Sequence, residues 1–304
     1  MSIMEGLCVK NVTGRGRTDS KGKISLRDVI RIVRPKPKTP EQAALWGRLV
    51  KGELKTPDTW EVELSAGKDK RETFERLIRE NKLGYFALLR NLRNMAEAGV
   101  DEDLVNKAIR ARKGGAERLL PFRYVAAARA APRFVQALDK ALLVAINEQP
   151  VLPGKTIVLV DVSGSMDEKL SGKSDLTRMD AACALASLLN CESVRVASFS
   201  NRTIECQAFR GLAGINNIIN SQDHELTDLG AAVNWANRQS YDRLIVISDE
   251  QTGTPVAAPK SPLAYMINVA SYENGIGYGG PWVHLDGFSE GIIRFIQGYE
   301  RGFE

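Results

Sequence analysis

The segment KTIVLVDVSGSM, Lys155 to Met166, constrains the fold more than any other part of the chain. Ile157 to Val160 is an unbroken run of β-branched and apolar residues. Such a run marks a strand buried on both faces. Strands of that kind belong to parallel sheets covered by helices. The run stops on Asp161, and Ser163 and Ser165 follow with Gly164 between them. In an open parallel sheet, ligands bind outside the carboxyl ends of the strands. An aspartate and two hydroxyls on a glycine-bent loop at that edge are oxygen donors facing one point. Mg²⁺ takes donors of this type.

The prolines and glycine of residues 149–154 read as a linker. Past it, strand and helix patterns alternate. The predicted strands are 155–161, 193–199, 203–208, 243–248 and 264–270, and the predicted helices are 177–190, 212–220, 228–239 and 289–298. Leu244 to Ser248 is again continuously apolar up to its last residue. The alternation implies a Rossmann-like α/β domain with a mostly parallel sheet covered on both faces.

Before the linker the grammar is helical. Ser25 to Asp28 has the letters of a capping box, and Leu26, Val29, Ile30 and Val33 follow at helical spacing. Arg34 to Lys38 alternates prolines with basic residues and stops that helix. Pro40 opens the next one. Helices are then predicted over 69–82, 85–98, 101–112, 116–131 (broken or kinked at Pro121) and from Pro132 to about 147. Short helices on short loops suggest an α-solenoid or an irregular helical stack.

Composition bounds the function. No apolar run approaches the ~20 residues needed to span a bilayer. The first residues carry no apolar signal core, and the cysteines at 8, 183, 191 and 206 have no paired spacing. The expectation is a cytoplasmic protein with no membrane partner. Two histidines, His224 and His284, leave little for a His-based zinc site or a Ser-His-Asp triad. The net charge of +5 is unevenly divided: +11 over residues 1–150 and −6 over residues 151–304. One half suits phosphate and the other suits cations.

A metal needs donors from more than one loop. Thr227 and Asp228 stand just before a predicted helix, and Asp249 follows the strand at Leu244 to Ser248. Both places lie on the edge that carries Asp161. Asp161, Ser163, Ser165, Thr227 and Asp249 together resemble the metal-ion-dependent adhesion site (MIDAS) of a von Willebrand factor A (vWA) domain. The likeness spans residues 155–300: a DxSxS motif, a threonine about 65 residues on, and an aspartate after a buried strand. It implies a divalent cation, Mg²⁺, held by those five side chains, with room for an incoming carboxylate or phosphate.

The helical half carries a second resemblance. LRDVIRIVRPKP, TWEVELS, LLRNLRNM and LPFRY, followed by DVSGSM, are similar to the TROVE module that precedes a vWA domain in the Ro60 (Rsr-like) ribonucleoprotein family. The expected architecture is therefore two-domain: HEAT-like α-helical repeats forming a partial TROVE module, then the vWA domain. The boundaries expected are 1–24 for a flexible basic arm, 25–150 for the helical domain and 151–304 for the vWA domain. The resemblance implies an RNA-binding protein of small noncoding ribonucleoproteins, binding Y-RNA-like RNA or single-stranded 3′ ends of defective RNAs. The family's helical part is larger and forms a ring. A shorter one implies an open arc, a homo-oligomer, or a truncated relative with altered RNA binding.

Chemistry selects the RNA contacts. Arg15, Arg17, Lys21 and Lys23 lie in the arm, Arg34, Lys36 and Lys38 in the proline-interrupted segment, and Arg90, Arg93 and Arg123 in the TROVE-like motifs. Two rival classes remain. One is a metal-dependent protein-interaction module that grips a partner carboxylate while the helices act as scaffold. The other is an enzyme, and its usual marks are missing. Asp161-Val162-Ser163 lacks the second aspartate of a dehalogenase-type phosphatase, and there is no nucleophile elbow and no GxxxxGK[ST] loop.

Overall fold

The structure is a computed structural model. It describes residues 26–54, 57–119, 122–170, 176–207, 210–270, 280–287 and 291–302. The chain divides between Leu83 and Gly84 into two compact units.

The first unit contains α1 (Leu26–Val33), α2 (Pro40–Lys51), α3 (Trp60–Ser65) and α4 (Lys70–Arg79). Thr39 caps α2 by accepting from the Gln42 N–H, with Pro40 in the first turn. Gly52, at φ 80°, ends that helix in the left-handed conformation. Asp69 caps α4 through the Glu72 N–H. Leu49, Phe74 and Leu77 form the buried core, and the Trp60 ring stacks on Phe74 at 6.3 Å. Arg76 and Lys82 both hold Asp58, at 2.7 and 2.8 Å, which keeps its carboxyl far below the usual range. The apolar positions of α1 do not form core: Ile32 and Val33 are exposed.

The second unit begins with α5 (Tyr85–Arg90), α6 (Leu92–Glu97), α7 (Glu102–Ala111), α8 (Phe122–Ala130) and α9 (Val135–Asn147). The predicted helix over 85–98 is two helices. Asn91 separates them, donating from its side chain to the Ala87 carbonyl and accepting from the Asn94 side chain. These are the local bonds by which asparagine competes with helix continuation. The predicted helix over 116–131 becomes a 3₁₀ turn, Ala116–Arg118, followed by α8. Tyr85 donates to the Ile109 carbonyl at 2.8 Å and packs against Tyr124. Arg112 closes the layer with a two-pronged pair to Glu148, at 2.6 and 2.8 Å.

The sheet follows: β1 (Leu152–Asp161), β2 (Cys191–Phe199), β3 (Thr203–Cys206), β4 (Arg243–Ser248), β5 (Leu263–Asn268) and β6 (Val283–Asp286). Its order is β3-β2-β1-β4-β5-β6, parallel except for β3. The edge strand β6 was not among the predicted strands. The helices are α10 (Arg178–Leu188), α11 (Gly211–Ile219), α12 (Leu229–Asn237) and α13 (Gly291–Arg301). Every residue of α10 is buried. It is alanine-rich on all sides and packs against β1, α8 and α11, as a helix without a polar face must. The opposite face of the sheet packs Ile157, Leu159, Phe199 and Val246 against Leu229, Ala232 and Val233 of α12.

Two contacts tie helices from before the linker to this domain. Arg129 of α8 pairs with Asp180 of α10 at 2.6 Å, and the Asp139 carboxylate of α9 accepts from the Leu212 N–H at 2.7 Å. The chain leaves β1 toward β2 on one side and returns to β4 on the other. That reversal opens the crevice where ligands bind in such sheets.

Candidate metal centre and basic surface

Asp161 ends β1 at the crevice, and its neighbour in the sheet on that side is the end of β4. The Asp161 side chain is fully buried. One of its oxygens accepts from the Ser163 N–H at 2.9 Å, the other from the Ser248 hydroxyl at 2.7 Å. Burial pushes its carboxyl up to about 6, against the pull of those two serines. The nearby Asp249 charge pushes the same way. The Ser163 and Ser165 hydroxyl oxygens lie 3.3 Å apart on the turn that follows.

Asp249 is also buried. Its Oδ1 accepts from the Gln251 N–H at 3.2 Å, while its Oδ2 has no hydrogen-bond partner. The nearest cation, the Arg178 guanidinium, stands 3.7 Å from that oxygen. This distance gives Coulomb attraction without a hydrogen bond. Arg178 is held there by Glu168 and by the Ser165 carbonyl.

Thr227 belongs to the loop that lies against the serine turn. Gly164 N–H donates to the Glu225 carbonyl at 3.1 Å, and Ser200 ties the same loop at Glu225 and Leu226. Asp228, next along, caps α12 through the Ala231 N–H and accepts from Thr254, so its carboxylate is occupied as a cap. The crevice thus gathers Asp161, Ser163, Ser165 and Asp249, with Thr227 on the adjoining loop. Ser248 and Arg178 were not among the predicted site residues.

Two buried carboxylates with one unsatisfied oxygen fit a hard cation: removing such charges from water is costly unless something compensates them. The donors expected from the sequence are two carboxylates and three hydroxyls. Mg²⁺ keeps several waters and is usually bound through only one or two carboxylates, so a sparse set of this kind suits it. Among the described residues no group of three or more His, Cys, Asp or Glu side chains is arranged to hold a metal ion.

The RNA candidates fall in different places. Arg15, Arg17, Lys21 and Lys23, and the proposed arm that holds them, lie outside the described residues. Arg34, Lys36 and Lys38 are exposed in the segment that follows α1, where Arg34 takes a left-handed backbone conformation at φ 45°. Arg90, Arg93 and Arg123 are exposed on α5, α6 and α8. Arg93 also donates to the Ala130 carbonyl at 3.4 Å. The Arg123 guanidinium carbon lies 5.4 Å from the centre of the Phe86 ring.

The TROVE domain profile matches residues 34–149, and the Ro60 vWA domain profile matches residues 155–266. The chain belongs to the TROVE/Ro60 family. Members of that family are RNA-binding components of ribonucleoproteins. Among solved structures, that of the Deinococcus radiodurans Ro (Rsr) protein is similar at a TM-score of 0.61 and 19% identity, over 99% of this chain and 74% of that one. At this identity the likeness concerns the fold: helices before a vWA domain. An aerotolerance-related membrane protein of Bacteroides fragilis with multiple mutations to serine aligns over 48% of this chain and 96% of that one. Its identity is 14% and its TM-score 0.34, too slight a likeness to bear on function. No curated protein matches the chain in sequence. Among the described residues no helix is long and apolar enough to cross a membrane.

Proposed function

We propose that this TROVE/Ro60 protein is a non-enzymatic, cytoplasmic RNA-binding component of small noncoding ribonucleoproteins. It takes structured, Y-RNA-like RNA or single-stranded 3′ ends through its basic helical half. The observation that carries this reading is the set of exposed arginines on the TROVE helices: among the described residues Arg90 and Arg123 pair with no carboxylate. Arginines left free of acidic partners are available to phosphates, which dominate affinity for nucleic acid. We place the functional regions at 1–24 (basic arm), 25–150 (TROVE helices) and 151–304 (vWA domain).

In the same proposal, Asp161, Ser163, Ser165, Thr227 and Asp249 hold Mg²⁺. The ion would supply an electrophilic position to which an anionic oxygen could bind. Asp161 is oriented for this by Ser248 and by the Ser163 N–H. Asp249 contributes the oxygen that lacks a hydrogen-bond partner. The second reading, a metal-dependent grip on a partner protein's carboxylate, draws support from that same oxygen. It differs in giving the arginines no ligand.

Crosslinking in the native cell separates the two readings. The RNA reading expects small structured noncoding RNA to copurify, with crosslinks concentrated in residues 25–150. Crosslinked RNA at background level, together with a stoichiometric protein partner lost on adding chelator, would favour the protein-interaction reading.

A further inference from the structure

Phe86 is 47% exposed, although Tyr85, Leu88 and Leu89 around it on α5 are buried. The fold therefore encloses this ring only in part. One side of it is covered by Arg123 of α8, with the guanidinium carbon 5.4 Å from the ring centre. Arg90 lies four residues on, so it shares the exposed face of α5 with Phe86. The helices that carry these residues, α5 and α8, pack together within one unit. Among the described residues neither Arg90 nor Arg123 makes an ion pair, so two positive charges flank an open aromatic surface.

We infer that Phe86, with Arg123 on its ring and Arg90 beside it, is a stacking platform for an unpaired base of single-stranded RNA. The inference rests on the RNA-binding reading above and gives it a place and a mode. An unpaired base offers a π-face to an aromatic ring or to a guanidinium plane, and such stacking tolerates any base. The phosphates on either side of that base meet Arg90 and Arg123. A base inside a duplex keeps its faces stacked and cannot use the ring. An acidic peptide would satisfy the arginines but leave the ring unused.

The test uses the full chain and two labelled probes of equal length, oligouridylate and the same backbone without internal bases. Wild type is expected to bind the base-bearing probe roughly tenfold more tightly. Phe86→Ala should lower uridylate affinity to that of the abasic probe and leave abasic binding unchanged. Phe86→Trp should restore the preference. Phe86→Leu keeps the apolar bulk without the π-face, so it should behave like Phe86→Ala, and it carries the test if the alanine variant fails to fold. Arg90→Ala should weaken both probes alike. If wild type binds RNA and both the Phe86→Ala and Phe86→Leu variants retain the preference for uridylate, the platform is wrong and the RNA reading stands. If wild type binds neither probe at low salt, both fall.

Discussion

Glu300→Ala is expected to destabilise the vWA domain by about 3–5 kcal/mol, the cost of leaving a buried charge without its partner. The charge is Arg243, the first residue of β4, whose side chain is 2% exposed. Its guanidinium donates to the Pro153 carbonyl at 3.0 Å, to the Thr156 hydroxyl at 2.8 Å and to Glu300 of α13 at 2.6 Å. Glu300 also accepts from the Tyr265 hydroxyl at 2.8 Å. One carboxylate therefore neutralises Arg243, satisfies Tyr265 and fastens α13 across three strands. Glu300→Gln should lose less, because the amide keeps an acceptor. Replacing both Arg243 and Glu300 with apolar residues of similar volume should cost far less than the single change. Urea unfolding of the variants measures all of this. A loss under about 1 kcal/mol for Glu300→Ala would mean that the pair behaves like an exposed one.

The second large effect concerns the crevice at the opposite ends of the same strands. Mg²⁺ at a hundredfold excess over its dissociation constant is expected to stabilise the protein by about 2.7 kcal/mol. For a domain of this size that is a rise of roughly 5–10 °C in Tm. The effect should vanish in Asp161→Ala and in Asp249→Asn. The second variant is the sharper probe. Asp249 keeps a buried, unsatisfied oxygen beside a second buried carboxylate. An amide there removes the repulsion from Asp161 but also the attraction of Arg178, so without Mg²⁺ Asp249→Asn should differ little from wild type in stability. An equal Mg²⁺-dependent shift in wild type and Asp249→Asn would refute the five-residue site.

The strands β1 and β4 were readable because burial on both faces demands an unbroken apolar run, and both end on or beside the crevice aspartates. The short α3 was missed because six residues, Trp60–Ser65, are too few to display a helical period. The strand β6 was missed for a similar reason: Val283–Asp286 is four residues long and only half-buried at the sheet edge. The break at Asn91 depends on side-chain bonds that spacing does not reveal.

The site shows the same division. Asp161, Ser163 and Ser165 form a contiguous motif, and Asp249 follows a strand, so pattern alone found them. Ser248 precedes Asp249 directly, and its hydroxyl could have been suspected as a support. Nothing in the sequence signals that Arg178, just past its N-cap residue, reaches the crevice. Phe86 sits among apolar positions at helical spacing and reads as core, yet it is half-exposed. Only the two-part break of the helix and the packing of α8 show which face it occupies.

If the basic helices bind RNA through its phosphates, the affinity must depend on salt. Affinity of the full chain for a structured small RNA bearing a single-stranded 3′ tail should fall steeply and linearly, log against log, between 50 and 200 mM salt. Six or more phosphate contacts would make the loss about a thousandfold. The loss should be smaller in a variant carrying Arg34→Ala, Arg90→Ala and Arg123→Ala together, because each removed contact lowers the slope by roughly one. No detectable binding of such an RNA at low salt, or an affinity indifferent to salt and to those three arginines, would rule out RNA binding through these helices.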